Sequence, residues 1–435
     1  MKVAIFTDSY LPKIDGVAIS TEQFCRLLVP QGHEFIISCP DYGPEADDAG
    51  TGPGITSVRF PNKPLPTYPD VKLAKLSLRR IRQIMEWKPD LVHIETPGLL
   101  GQYGIAAARL YGVPVVGTYH TMVNEVGMYI SPYRLLKLDK LVERVKGTFS
   151  RELAQELRKA EATPRKSLSN RIILRMTNEL YNRCEVVISP TNLIAQELKN
   201  GGVKRPLEVV SNGLDLTTFS SRVVMPPEAG GVPRYLHVGR LSFEKNVDVL
   251  LWAFLRIRQA QPQATLDIYG DGPAFTTLQD EARRLQISDA VTFHGFVDRA
   301  TLPEIYPQYH CFLTASTMET QGLVVLEALA SGLPAVGVHA YALPELIHDG
   351  ENGFIANPAD DEMIAAKAVQ ITTDTDLFTR FSQNSLAIAA SHDVNRSVTR
   401  LERIYERAVA GDYRPHAVEP GPNLPGESPP DFPEL

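Results

Sequence analysis

At 435 residues the chain is too long for one ordinary core and predicts two or three domains, at about 100–200 residues each. Its 43% hydrophobic and 22% charged residues argue against wholesale disorder or a fibre, and its net charge of −7 argues against nucleic acid as a partner of the whole chain. Four scattered cysteines, Cys25, Cys39, Cys184 and Cys311, show no metal or redox spacing and read as reduced, buried thiols.

The opening MKVAIFTDSY reaches Asp8 after a short apolar run, which predicts a first strand and not a signal peptide. No apolar run approaches the roughly 18–20 residues that span a bilayer, so the expectation is a cytoplasmic protein whose membrane contact, if any, is peripheral on the inner face of the cell membrane. Short β-branched runs then alternate with segments of helical period, the pattern of parallel βαβ units. Strands are predicted at 3–7, 35–39, 91–95, 114–120, 185–190 and 207–212. After a Pro/Gly/Ser-rich stretch, a second series follows at 235–239, 265–270, 291–296, 311–316, 334–338 and 353–356. The predicted fold class is α/β, with two Rossmann-like, doubly wound parallel-sheet domains facing across a cleft. Their bounds are 1–215 and 234–390, joined by a linker at 216–233 and followed by a C-terminal helix at 391–410. Residues 411–435 hold seven prolines and read as a disordered tail.

Ligands of such sheets sit beyond the carboxyl ends of the strands, so the strand-end loops carry the candidate chemistry. In DSYLPKIDGVAIST, Gly16 precedes a helix and permits close approach of a ligand. TYHTM places His120 at a strand end, and VGRLSFEKN offers Arg240 and Lys245 just before a helix, two cations suited to a diphosphate. In STMETQGLVVLEALASGLPAV, Glu319 and Glu327 stand eight apart around Gly322, where a helix start presents free N–H groups to an anion. Taken singly, the glutamates suit a solvated loop and an ordinary helix, and the histidine a structural position. Gly270 and Gly272 of YGDGP read as turn glycines outside the site.

The runs VGRLSFEKN, YGDGP, FHGF and the Glu-x7-Glu stretch, in this order and spacing, resemble family 4 of the retaining glycosyltransferases, of GT-B fold. The resemblance covers roughly residues 1–400. It implies that Arg240 and Lys245 clamp the phosphates of a nucleotide-sugar donor, a UDP-sugar on the best reading, and that Glu327 binds the ribose. Glu319 and the backbone of Gln321, Gly322 and Leu323 would hold the sugar, a hexose with glucose the best guess, while Phe296 and Val297 at the end of FHGF would meet the base. Gly16 would border the donor, although relatives carry two adjacent glycines where this chain has Asp15-Gly16. His120 would orient the sugar and stabilise charge while the departing phosphate takes the acceptor proton.

No cofactor is implied, and no metal: the one D-x-D, Asp374 to Asp376, falls in a helical region away from the strand ends. Residues 131–184 carry thirteen Lys/Arg against six Asp/Glu, with apolar stripes at Leu135, Leu138, Val142 and Val145 and at Ile172, Ile173, Met176 and Leu180. This segment suits either an anionic membrane surface or the packing of a solvated helix on its own domain. PKIDGVAIST with YHTMVNEVGMYI resembles the branch that glycosylates diacylglycerol. A polyprenol-linked saccharide or a soluble acceptor remain alternatives, as do a nucleotide-sugar epimerase of the same fold and a non-catalytic nucleotide-sugar-binding protein.

Overall fold

A computed structural model describes residues 1–413 except 44, 45, 47, 66, 67, 121–167, 220–223, 229 and 230. Among the described residues the first half holds nine strands: β1 Lys2–Phe6, β2 Glu34–Pro40, β3 Ile55–Phe60, β4 Asn62–Leu65, β5 Tyr68–Ala74, β6 Leu91–Ile94, β7 Val115–Thr118, β8 Val186–Ser189 and β9 Leu207–Val209. Its helices are α1 Gly16–Leu28, α2 Leu78–Glu86, α3 Leu99–Tyr111, α4 Leu168–Tyr181 and α5 Asn192–Asn200. The second half holds β10 Arg234–Val238, β11 Thr265–Tyr269, β12 Val291–Gly295, β13 Cys311–Leu313, β14 Ala335–Val338 and β15 Gly353–Ala356. Between and after them lie α6 Val247–Ala260, α7 Phe275–Arg284, α8 Leu302–Ile305, α9 Leu323–Ala330, α10 Leu343–Leu346, α11 Asp361–Thr373, α12 Thr375–Ser391 and α13 Val394–Val409.

Seven strands pair in the order β3-β2-β1-β6-β7-β8-β9 and six in the order β12-β11-β10-β13-β14-β15, every pair parallel. β6, β7, β8 and β14 are buried at every position, as expected of strands covered on both faces by crossover helices. Strand order reverses between β1 and β6 in one sheet and between β10 and β13 in the other, so each sheet opens a crevice where its neighbouring loops part. The two crevices face each other.

Three elements depart from the sequence reading. β3 is an additional edge strand, and β4 with β5 forms an antiparallel hairpin outside both main sheets. Helix α13 lies at the far end of the chain, yet its buried face, Val394, Val398, Leu401, Ile404, Tyr405 and Ala408, packs with Val3, Ile5, Phe24 and Leu28 of the first half. The chain returns through the pairing of Leu214 with Asp393, held by Leu214 N–H on the His392 carbonyl at 2.9 Å and Val394 N–H on Leu214 at 3.1 Å. Glu208 fastens the helix by ion pairs to Arg407 at 2.9 Å and Arg400 at 3.2 Å.

Candidate functional site

A cleft of about 2800 Å³ runs between the two sheets, and all eleven residues singled out in the sequence line it. On its C-terminal wall, the loop after β10 carries Arg240 and Lys245. Asn246 takes the left-handed conformation at φ 48° and its amide donates to the Ala315 carbonyl and Thr317 hydroxyl, each at 3.1 Å. That tie draws the loop against the loop after β13 and brings the Lys245 ammonium to 2.7 Å from the Glu319 carboxylate. The residues expected to serve phosphate and sugar separately therefore form one ion pair.

Gly322 caps α9 at φ 82°, a conformation that favours glycine, so the chain turns sharply and leaves the first N–H groups of the helix facing the cleft. Glu327 lies in the second turn and is almost wholly buried. Arg299 donates to one of its oxygens at 2.8 Å and the Tyr306 phenol to the other at 2.9 Å. Arg299 Nη2 lies 2.8 Å from the same oxygen as its Nε, so it is the oxygen facing Tyr306 that keeps a lone pair for a ligand hydroxyl. Val297 is half-buried, and Phe296 is exposed at the cleft edge.

Gly270 and Gly272 also line the cleft, and the need for glycine there is one of approach. A Cβ at Gly270 would sit 1.8 Å from the Gly239 carbonyl oxygen, and one at Gly272 2.4 Å from that of Leu241. His237, within β10, donates Nδ1–H to the Leu313 carbonyl at 2.9 Å; burial lowers its pKa to about 4, so the ring is neutral at pH 7. Its Nε2 is buried beside Gly239 with no partner among the described residues.

On the N-terminal wall α1 begins at Gly16 itself, not after it, because Asp15 is the cap and accepts the Ala18 N–H at 3.0 Å. Lys13 pairs with the same carboxylate at 3.0 Å. A Cβ on Gly16 would lie 3.7 Å from Leu323, so the N-terminal ends of α1 and α9 oppose each other across the cleft. Both present positive dipole ends to the same space. His120 follows β7, and its Nε2 meets the Glu95 carboxylate at 2.7 Å, leaving Nδ1 as the ring nitrogen not engaged by Glu95.

Sequence reasoning missed Glu95, Arg299 and Tyr306, and it missed the contacts that fasten the walls together. Thr320 donates its hydroxyl to the His120 carbonyl at 2.9 Å, and the Gln321 side chain accepts from Asn212 N–H at 2.8 Å. Glu345 reaches across to accept N–H groups of Asn192 and Leu193 at 2.9 and 2.5 Å, where α5 starts. Burial raises the Glu345 carboxyl, and those hydrogen bonds partly offset it. Gln321 is thus spent on the opposite wall through its side chain, while its backbone remains at the cleft.

Of the basic segment, residues 131–167, including Leu135, Leu138, Val142 and Val145, lie outside the described residues. In its remainder Leu180 is buried in the first half's core, while Met176 is exposed and lines the cleft with Arg175 and Arg183. Asp374 of the D-x-D caps α12, accepting Leu377 N–H at 2.9 Å. Among the described residues no helix is long and apolar enough to cross a membrane.

Family models agree with this geometry half by half. Residues 14–218 match Glycosyltransferase Family 4, and residues 226–387 match Glycosyl transferases group 1. The chain belongs to the family 4 glycosyltransferases. It is 27% identical over 361 residues to the alpha-monoglucosyldiacylglycerol synthase of Streptococcus pneumoniae, covering 80% of this chain and 74% of that one. It is 26% identical to the enzyme of the same name from Acholeplasma laidlawii, covering 88% and 92%. Among solved structures, HepE of Anabaena in complex with UDP-glucose superposes with a TM-score of 0.68 at 20% identity, over 93% of this chain and 99% of that one. The two-sheet architecture of this glycosyltransferase is the GT-B fold.

Proposed function

We propose that this glycosyltransferase moves glucose from UDP-glucose to a hydroxyl of diacylglycerol or a related lipid, with retention at the anomeric carbon. The observation that carries the reading is the Lys245–Glu319 pair set at the opposed N-termini of α1 and α9, with His120 on the facing wall. A diphosphate there meets Arg240, Lys245 and free N–H groups, so its charge is matched by the protein alone. Glu319 accepts hydrogen bonds from the sugar hydroxyls, and Glu327 takes the ribose. As the bond from anomeric carbon to phosphate oxygen breaks, the acceptor oxygen bonds to that carbon on the same face, and its proton passes to the departing phosphate. His120 orients the sugar for this exchange.

The lipid acceptor is supported by the two diacylglycerol synthases above and by an exposed strip of chain that leads away from the cleft wall. Leu73, Leu76 and Leu78 are exposed there among Lys72, Lys75, Arg79 and Arg82, and Lys72 and Leu73 line the cleft itself. Apolar side chains between cations suit an anionic bilayer. The deciding experiment incubates the protein with UDP-glucose, UDP-galactose or GDP-mannose and diacylglycerol in anionic vesicles, and identifies the product by mass spectrometry and anomeric proton coupling. An α-glucosyl lipid formed from UDP-glucose is expected. Nucleotide release without a lipid product would remove the acceptor reading, and consumption of none of the three donors would remove the donor reading.

A further inference from the structure

The cleft shows one face of His120; behind it lies a chain of buried polar groups to which neither the family models nor the transfer reaction assigns a role. His93 and Glu95 stand two apart at the end of β6 and so share one face of the sheet, as do Thr118 and His120 at the end of neighbouring β7. Glu95 is 3% exposed and His93 1%. Nε2 of His93 lies 2.7 Å from the Thr118 hydroxyl, and its Nδ1 lies 2.7 Å from the phenol of Tyr405, on helix α13 from the far end of the chain. Nε2 of His120 lies 2.7 Å from Glu95.

The proton positions follow from the network. Burial pushes the Tyr405 phenol well up, so it keeps its proton and donates to Nδ1 of His93. Burial lowers His93, which is therefore neutral and donates from Nε2 to Thr118. Thr118, having accepted, donates a hydrogen bond from its own hydroxyl to Glu95. Burial alone would raise Glu95; the hydrogen bonds from His120 and Thr118 pull the other way, and the group sits below its ordinary value, as a carboxylate. Every donor in the chain points towards Glu95, and the last of them is Nε2–H of His120.

We propose that Glu95 is a positioning residue of the transfer site, whose buried carboxylate fixes the tautomer and ring orientation in which His120 presents Nδ1 to the donor sugar. The inference rests on the sugar-orienting role given to His120 above. A carboxylate behind an imidazole selects which nitrogen carries the proton and prevents the ring from turning. Tyr405 extends the device to α13, so the last helix among the described residues supports a group at the cleft.

Steady-state kinetics across pH, with ring nitrogen shifts of His120 by NMR, test it on wild type, Glu95→Gln, His120→Ala and the double variant. Glu95→Gln should lower kcat by roughly tenfold to a hundredfold, the order expected from a misplaced reacting group, with KM for the donor and affinity for UDP little changed. It should also change the pH profile and the His120 nitrogen shifts, which a merely structural carboxylate would leave alone. The double variant should be no slower than His120→Ala, since Glu95 acts through that ring. Wild-type kcat and pH profile in Glu95→Gln, with His120→Ala impaired, would overturn this inference and spare the proposed function. Wild-type turnover by His120→Ala would overturn the role of His120 first, and Glu95 with it. Should Glu95→Gln fail to fold, Tyr405→Phe removes only the far hydroxyl: a severalfold lower kcat supports the chain, and an unchanged one refutes it.

Discussion

The two walls of the cleft handle polar groups in opposite ways. On the C-terminal wall the pair between the loops after β10 and β13 stands closer to solvent: Lys245 and Glu319 retain 20% and 13% of their side-chain exposure. On the N-terminal wall the polar groups sink into the sheet and connect in series behind His120, with only the last ring reaching the cleft. Partly exposed pairs exchange partners at less cost than buried ones, so a diphosphate and a sugar can displace one charge from the other when they bind. A fully buried series has no such freedom and keeps its geometry whether or not a ligand is present. One wall therefore adapts to the donor while the other holds a fixed reference.

The comparison breaks most sharply at Lys245 and Glu319. Either change to alanine should reduce transfer by roughly a hundredfold or more, while the melting temperature stays close to wild type because neither side chain belongs to a core. Titration calorimetry should separate the two. Lys245→Ala weakens UDP itself, and Glu319→Ala leaves UDP unaffected but removes the extra affinity contributed by glucose. Equal losses for UDP in both variants would mean that the pair acts as one unit.

A smaller effect concerns acid. His237 on the C-terminal wall has its pKa lowered by burial to about 4. Between pH 6.5 and 4 the unfolded chain thus binds a proton that the folded one refuses. Stability is complete above pH 6.5 and is lost as pH falls through that window, by about 2 kcal/mol from this group at pH 5. Urea unfolding at pH 7 and pH 5 should show the loss, and His237→Asn should reduce it. A wild type equally stable at both values would refute the buried neutral ring.

The smallest effect expected is that of chelation. With Arg240, Lys245 and two helix ends at the diphosphate, EDTA should change turnover less than about twofold. Complete loss restored by one divalent ion would show that the C-terminal wall lacks the charge assigned to it.

What the sequence disclosed follows the range of each interaction. Gly322 and the strand-end cations Arg240 and Lys245 each sit beside a turn of their own, and VGRLSFEKN and METQGL display them as local patterns, although the partner Lys245 meets, Glu319, is 74 positions away. β3 escaped because ITSVRF mixes Thr56, Ser57 and Arg59 among its apolar residues after a Gly- and Pro-containing turn, where most of the other strands of the two main sheets are nearly continuous apolar runs. Arg299 meets Glu327 across 28 positions, Glu345 meets Leu193 across 152 and Tyr405 meets His93 across 312. Such partners share no turn, period or spacing, so nothing in the chain marks one for the other before folding brings them together.

The return of α13 to the first sheet also sets the order in which the chain becomes complete during synthesis. Val3, Ile5 and Phe24 emerge from the ribosome early, but the residues that cover them, Val394 to Ala408, emerge nearly four hundred positions later. At about 5–20 residues per second that delay lasts on the order of 20–80 seconds. Throughout it, one face of the first sheet offers apolar side chains to solvent, and the second half must form while its neighbour is still open. A nascent-chain chaperone would find its longest opportunity there, before Tyr405 reaches His93.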